Sequence, residues 1–225
     1  MPTQAGATLV ASPVLRPAAA GSSVVSADHA SVFERIFDTD ITTCIWNRPA
    51  DPILANYLRN SAGSGSWERR ARLDVTSPDF EELLAGFPAD VGRVRWVTEL
   101  TALVHLFTAL TDARTVGLRI TATYRATCPR FHCDRVGLRL LCCWVGEGTE
   151  FLAEEDVIRD ASGSRPMSVG FAAGPVRPGG VVRQMRSFAV GAFKGDLWPG
   201  NEGRGAVHRS PQPEGRRVFV SLDEL

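Results

Sequence analysis

Apolar and polar positions follow two different periods along this chain, first a helical one and then a strict alternation. Between residues 90 and 113, apolar side chains recur at steps of three and four residues, which predicts the longest helix. Asp51 and Pro52 supply an N-cap and a first-turn proline for an earlier, shorter helix. In residues 118–124 the period becomes two, because apolar positions alternate with polar ones as in a half-buried strand.

A run of short segments rich in β-forming residues follows this change of period. Turns that contain glycine and proline separate the segments. The segments lie at 136–145, 149–152, 188–193 and 217–222. Helices followed by short strands predict an α+β chain with a helical N-terminal half and a C-terminal β-sandwich or barrel.

These patterns divide the chain into three regions. Residues 1–27 are mostly Ala, Ser, Gly, Pro and Val without a sustained period, so we expect a disordered tail there. Residues 28–115 form a mainly helical N-terminal region, with one strand at 41–46 and a flexible glycine-containing loop at 60–66. Residues 116–225 form the strand-rich region.

Composition and charge narrow the function classes. With 25 basic and 25 acidic residues the formal net charge is zero, so the chain as a whole has no electrostatic preference for nucleic acid or an anionic membrane. The longest apolar run, at 100–110, is too short to span a bilayer, and the N-terminus lacks a positive segment before its first apolar residues. Five cysteines without framework spacing indicate free thiols in a reducing compartment, so we expect a cytoplasmic protein.

Two histidines of the strand-rich half lie in sequences that suit a metal site. His132 and Asp134 are two residues apart, so on an extended chain both side chains leave the same face and can reach one ion. His208 follows later, and Arg217 comes nine residues after it, at the start of the last predicted strand. Two histidines and one carboxylate form the facial triad suited to non-haem Fe(II). An arginine beyond them suits a distal carboxylate such as that of 2-oxoglutarate.

This order of residues resembles that of the Fe(II)/2-oxoglutarate-dependent oxygenases. More closely, residues 28–225 resemble the bacterial family of domains of unknown function numbered 1826. The likeness is strongest from Cys128 onward. It lies in Cys-Pro-Arg-Phe-His-Cys-Asp at 128–134, Arg-Leu-Leu at 139–141, Gly-x-Gly-Thr-Glu at 146–150 and His-Arg-Ser-Pro at 208–211.

The resemblance implies a C-terminal double-stranded β-helix, a cupin-like jelly roll. It further implies that His132, Asp134 and His208 bind Fe(II) and that 2-oxoglutarate is a small-molecule cosubstrate. Arg217 would pair with the far carboxylate of 2-oxoglutarate, and Arg216 would replace it if the strand register slipped by one residue. Tyr124 is either a hydroxyl donor to the cosubstrate or a core tyrosine. The primary substrate is not identified.

Other interpretations of the same residues stay open. His132 and Asp134 alone are compatible with a hydrogen-bonded pair at a strand end. Because Cys128 and Cys133 flank His132, and thiolate with imidazole favours zinc, the main alternative is a non-catalytic or zinc-binding metal-homeostasis protein of the same fold. In a regular strand, however, Cys133 points away from the face shared by His132 and Asp134. A cysteine nucleophile with a histidine base is a third class, but no oxyanion-hole signal accompanies any cysteine.

Overall fold

A computed structural model of the chain describes residues 22–61, 63–159 and 175–224. Two α-helices, a 3₁₀ helix at Ala30–Phe37, a short one at Glu154–Asp156 and ten strands form the described part of an α+β fold. The helices are α1 (Pro52–Ser61) and α2 (Val91–Thr111), and the strands are β1 (Val24–Ala27), β2 (Thr43–Trp46), β3 (Trp67–Asp74), β4 (Thr115–Thr123), β5 (Leu138–Val145), β6 (Glu150–Phe151), β7 (Arg183–Gln184), β8 (Val190–Lys194), β9 (His208–Arg209) and β10 (Arg217–Glu224).

The strands form one large and one small sheet. The large sheet has the order β1-β2-β8-β5-β10-β4-β3, and the small sheet has the order β7-β6-β9. Within the large sheet β1 and β2 are parallel, whereas the other neighbours are antiparallel. The long central strands β4, β5 and β10 come from distant parts of the sequence, so the sheet is held together by long-range pairing.

The two faces of β10 explain how the layers are arranged. Val218, Val220 and Leu222 belong to the main hydrophobic core, which also contains the buried faces of both α-helices. The alternate residues Phe219 and Ser221 therefore lie on the opposite face. On that side of the large sheet, a second apolar cluster joins residues of β5 and β8 to residues of the small sheet. The large sheet thus lies between a helical layer and the small sheet.

Local sequence accounts for both α-helices. Asp51 accepts hydrogen bonds from the backbone N–H groups of Ile53 and Leu54 at the start of α1. Asp90 does the same for Gly92 and Arg93 at the start of α2. These caps lie where the sequence predicts helix starts.

The N-terminal half differs from the prediction of a mainly helical region. Strand β1 occupies Val24–Ala27, so the described fold begins inside the predicted disordered tail. The predicted tail's residues 1–21 lie outside the described residues. Strand β2 confirms the strand predicted at 41–46, whereas β3 was not predicted, and both join the same sheet as the C-terminal strands. Residues 28–115 are therefore mixed in structure, because part of their backbone completes the large sheet.

Within the part of the chain that the structure describes, none of the helices combines the length and the apolar character of a membrane span.

Candidate metal centre

The two histidines are brought together by backbone pairing. His132 and His208 form an isolated antiparallel bridge in which each N–H donates to the other residue's carbonyl oxygen at 3.0 Å. Residues that face each other across such a bridge project their side chains to the same side. Their ring centroids are accordingly 4.6 Å apart.

Backbone carbonyls fix the orientation of both imidazoles. Nδ1 of His132 lies 3.0 Å from the carbonyl oxygen of Arg130, and Nδ1 of His208 lies 3.1 Å from that of Ala206. A carbonyl oxygen only accepts hydrogen bonds, so each Nδ1 carries the proton. In the neutral tautomer Nε2 then presents a lone pair, which is the arrangement found at protein-bound metal ions.

Asp134 completes the cluster. Its Oδ1 lies 3.5 Å from Nε2 of His132 and its Oδ2 lies 3.1 Å from Nε2 of His208. One ligand atom from each of the three residues lies within 4.8 Å of the other two. Oδ2 is buried and has no hydrogen-bond donor among the described residues. A buried carboxylate oxygen that faces an imidazole lone pair requires a proton or a cation between them, so the donor set fits a divalent metal ion.

The electrostatics of the cluster keep Asp134 ionised. Burial by itself raises the pKa of this carboxyl. When the imidazoles carry a proton on Nε2 as well, their hydrogen bonds to the carboxylate and the charge of Arg139 outweigh that effect and hold the pKa well below its usual value. The hydrogen bond with Asp134 in turn raises the pKa of His132. A proton therefore competes with a metal ion for the His132 nitrogen.

The cysteines near the motif do not join the cluster. Sγ of Cys133 donates to the carbonyl oxygen of Gly205 at 2.9 Å, and burial raises the pKa of this thiol to about 11. Cys128 is exposed, and all five cysteines are free thiols. The mixed thiolate and imidazole set considered for zinc is therefore not assembled, because Cys133 points away from His132 and Asp134 as its position in an extended segment predicts.

Arg216 and Arg217 have opposite environments. Arg217 is 1% exposed on the face of β10 that looks toward the small sheet, and its Nε donates to the Glu147 carbonyl oxygen at 2.7 Å. Its Nη1 is buried without a hydrogen-bond acceptor among the described residues. Arg216 instead donates to the carbonyl oxygens of Gly63 and Gly65 in the loop before β3.

Tyr124 lies with Arg216 rather than with Arg217. Its ring is 6.0 Å from the Arg216 guanidinium, and the residue is 46% exposed. The structure therefore does not bring Tyr124 or Arg216 to the inter-sheet face that carries Arg217.

One neighbour of the cluster lies in a segment that carries the family resemblance, but its contacts have no signal in the sequence. Nη1 of Arg139 lies 2.6 Å from Oδ1 of Asp134, and the same guanidinium binds Asp223 on β10. Arg139 and Asp223 are 84 residues apart and meet only because of the register between β5 and β10. Local spacing could not have revealed this contact.

The chain has distant relatives among solved structures. A bsmA homologue from Methylobium petroleophilum PM1 is 13% identical, with a TM-score of 0.47 over 86% of this chain and 91% of that one. A prolyl-4-hydroxylase from Pseudomonas putida is 11% identical, with a TM-score of 0.39 over 87% of this chain and 98% of that one. A 2OG-Fe(II) oxygenase family oxidoreductase from Burkholderia pseudomallei is 13% identical, with a TM-score of 0.42 over 86% of this chain and 88% of that one. Likenesses at this level do not assign a function.

Sequence comparison identifies the family. No curated protein matches the chain. The model of the family described as "Protein of unknown function (DUF1826)" matches residues 27–223, which include the three clustered residues and Arg217. The chain therefore belongs to the DUF1826 family.

Proposed function

We propose that this protein is an Fe(II)/2-oxoglutarate-dependent oxygenase that acts on an unidentified substrate. The observation that carries the proposal is the convergence of His132, Asp134 and His208 on one point, with ligand atoms within 4.8 Å of one another. Two neutral imidazole nitrogens and one carboxylate oxygen are the ligand set of non-haem Fe(II) enzymes that activate oxygen. This donor set also leaves metal positions for a cosubstrate.

The sheet topology supports a double-stranded β-helix as the scaffold. Strands β8, β5, β10 and β4 are adjacent in the large sheet and face a smaller sheet that contains β6 and β9. Jelly rolls typically have two facing antiparallel sheets in which neighbouring strands are not consecutive in the chain. His208 is the first residue of β9 at the edge of the small sheet, and His132 pairs with it. In this fold the metal would lie at the opening between the sheets.

Each residue of the site then has a defined role. His132, His208 and Asp134 would hold the iron, with both imidazoles oriented by backbone carbonyl oxygens. Together, Fe(II) and 2-oxoglutarate would supply oxygen activation coupled to oxidative decarboxylation to succinate. The Phe193 ring packs 5.1 Å from the ring of His208, and Phe193 lies in the apolar cluster between the sheets. This apolar surface excludes water and strengthens the electrostatic interactions of the site.

Arg217 is suited to the far carboxylate of 2-oxoglutarate. Burial of a guanidinium with an unpaired nitrogen has a desolvation cost. A carboxylate would offset this cost through a charge-assisted hydrogen bond. Along β10, residues 217, 219, 221 and 223 alternate onto one face, and Asp223 contacts the Arg139 side chain that reaches Asp134. Arg217 and the metal cluster thus share the inter-sheet face. Arg216 and Tyr124 have no part in this proposal, because both lie at the loop before β3.

The proposal is tested by turnover of the cosubstrate. Protein purified without oxygen and loaded with Fe(II) should release succinate from 2-oxoglutarate when oxygen is admitted. Asp134→Ala and His208→Ala should reduce this release to the level of free iron, because each removes one of only three ligands. His105→Ala is the matched control, since His105 is exposed on α2, and it should leave succinate release unchanged.

The same preparation distinguishes the proposed oxygenase from the zinc-binding alternative. Tight binding of Zn(II) together with no succinate release after reconstitution with Fe(II) would contradict the oxygenase and favour a non-catalytic metal-binding protein. Thermal unfolding of each variant would confirm that lost turnover does not reflect a lost fold.

A further inference from the structure

Arg139 forms ionic contacts with two carboxylates, one of which, Asp134, belongs to the candidate metal site. It lies on the inter-sheet face of β5, directly opposite Asp223 on β10. The side chains of Arg139, Asp134 and Asp223 are 18%, 11% and 24% exposed. Contacts between charges this well shielded from water are much stronger than those of an exposed ion pair.

The guanidinium uses different nitrogens for the two carboxylates. Nε and Nη2 donate to Oδ1 and Oδ2 of Asp223 at 2.6 and 2.9 Å, which is a bidentate fork. The third nitrogen, Nη1, lies 2.6 Å from Oδ1 of Asp134. Because the group is planar and rigid, the fork on Asp223 fixes the direction in which Nη1 points.

This contact makes the two oxygens of Asp134 unequal. Oδ1 is engaged by Arg139, whereas Oδ2 is buried without a donor and faces Nε2 of His208. A free aspartate can bind a cation through one oxygen or through both. Because Arg139 occupies one lone-pair direction of Oδ1, Oδ2 is the oxygen better placed to bind a cation.

We propose that Arg139 is a positioning residue that keeps Asp134 a one-oxygen ligand and so preserves an open position on the metal ion. This inference rests on the proposed function, since it concerns the same metal site. Asp223 has a second role in the arrangement. It neutralises Arg139, whose positive charge would otherwise lie unbalanced beside a divalent cation and weaken its binding.

The test counts the water molecules on bound Mn(II), a stable probe ion for this site. An octahedral ion with three protein ligands keeps about three waters, and a second Asp134 oxygen would displace about one of them. Water-proton relaxation measured per bound Mn(II) reports this number without any turnover. In Arg139→Gln we expect relaxation per ion to fall by about a third, with Mn(II) affinity within about threefold of the parent protein.

Three further variants make the result specific. Arg139→Lys retains a cation near Asp134 and should restore most of the relaxation. Asp223→Ala frees the guanidinium to form its fork on Asp134, so Mn(II) affinity should fall by about 10- to 100-fold while relaxation per bound ion stays unchanged. Arg119→Gln is the matched control: Arg119 lies on the same sheet face but contacts Ser221. This variant should behave as the parent protein.

The outcomes distinguish this inference from the proposed function. If the parent protein does not bind Mn(II), Co(II) or Fe(II), the metal site itself is wrong and the inference falls with it. If the parent protein binds Mn(II) but Arg139→Gln keeps the full relaxation, only the role of Arg139 is wrong. A parallel loss of affinity in Arg139→Gln and Asp223→Ala would also overturn it, because a merely structural role predicts that result. Should Arg139→Gln not fold, Asp223→Ala alone decides, since unchanged affinity there contradicts the arrangement.

Discussion

Two consecutive arginines, Arg216 and Arg217, have different surroundings because they occupy different positions relative to β10. Arg216 and Arg217 differ by one place, yet Arg217 is 1% exposed between the sheets while Arg216 lies at the loop before β3. Successive side chains of a strand point to opposite faces, so only one of the two can reach the inter-sheet space. The sequence alone left both possibilities open.

Arg217→Met should weaken the interaction with 2-oxoglutarate. Removing one partner of a buried charge pair costs about 2–5 kcal/mol, of which each 1.4 kcal/mol corresponds to about a tenfold change in affinity. We therefore expect the KM for 2-oxoglutarate to rise by about 30-fold or more. Arg217→Lys should rescue part of this loss, because it keeps the charge but not the planar fork.

Arg216→Met is the matched control for this prediction. It removes an arginine next to Arg217 in sequence but outside the inter-sheet face, so the KM for 2-oxoglutarate should stay unchanged. An equal rise of KM in both variants would mean that neither arginine binds the cosubstrate directly. Succinate release at varied 2-oxoglutarate concentration gives both values.

The candidate residues of the site were predictable from sequence, but the contacts that bring them together and support them were not. The two-residue spacing of His132 and Asp134 predicts a shared side, and the later histidine and arginine follow in an order that suggests iron. The contact between Arg139 and Asp223 depends on the register of two strands far apart in the chain. The approach of the two imidazoles to each other likewise depends on the bridge between His132 and His208. Neither leaves a pattern in a single sequence.

Strand β3 shows why the N-terminal half looked more helical than it is. Its sequence places arginine or acidic residues on both faces, and its described neighbour in the sheet is β4 alone. An edge strand can carry charge because it buries little surface, and charge at an edge also opposes unwanted pairing with other chains. In β3, Arg69 interrupts the alternation of apolar residues, which is continuous in β4. By contrast, the capped start of α1 was predictable from Asp51 and Pro52, and the helical period predicted that α2 begins near residue 90.

The contact between the two α-helices depends on Gly92. A Cβ atom at this position would overlap the side chain of Tyr57 on α1. Gly92→Ala should therefore destabilise the protein by about 1–3 kcal/mol, although alanine favours a helix over glycine by about 1 kcal/mol. Denaturant unfolding measures the difference. Val94→Ala on the same helix is the control, because Val94 is 65% exposed and the change should stay within about 0.5 kcal/mol. Increased stability of Gly92→Ala would contradict a tight helix crossing.

In the whole molecule, the main hydrophobic core and the candidate metal site lie on opposite sides of the large sheet. The main core lies between this sheet and the helices, whereas the metal cluster and Arg217 lie on the side of the small sheet. The boundary predicted near residue 115 does not mark this division, because β1, β2 and β3 join the C-terminal strands. A sequence pattern identifies elements, but which layer an element joins depends on pairing between distant segments.

A buried ionic network ties the helical layer to the sheet. Glu99 on α2 accepts hydrogen bonds from Arg48, which follows β2, and from Nε1 of Trp144 on β5 at 2.9 Å. Nε of Arg48 also donates to the Phe188 carbonyl oxygen before β8 at 2.7 Å. The side chains of Arg48 and Glu99 are 14% and 12% exposed, so this pair is shielded from water.

Breaking this network should lower the free energy of unfolding but leave the Mn(II) affinity of the candidate metal site unchanged. Glu99→Ala strands a buried guanidinium and should cost about 3–5 kcal/mol. Glu81→Ala is the control, because Glu81 pairs with Arg93 at an 83% exposed position and should cost at most about 1 kcal/mol. The double variant Arg48→Met with Glu99→Leu should recover most of the loss, since it leaves no uncompensated charge.

Denaturant midpoints measure the stability of these variants. The Mn(II) affinity of the folded Glu99→Ala variant should match that of the parent protein. A large loss of affinity at full folding would mean that the helical layer and the metal cluster are coupled through the sheet.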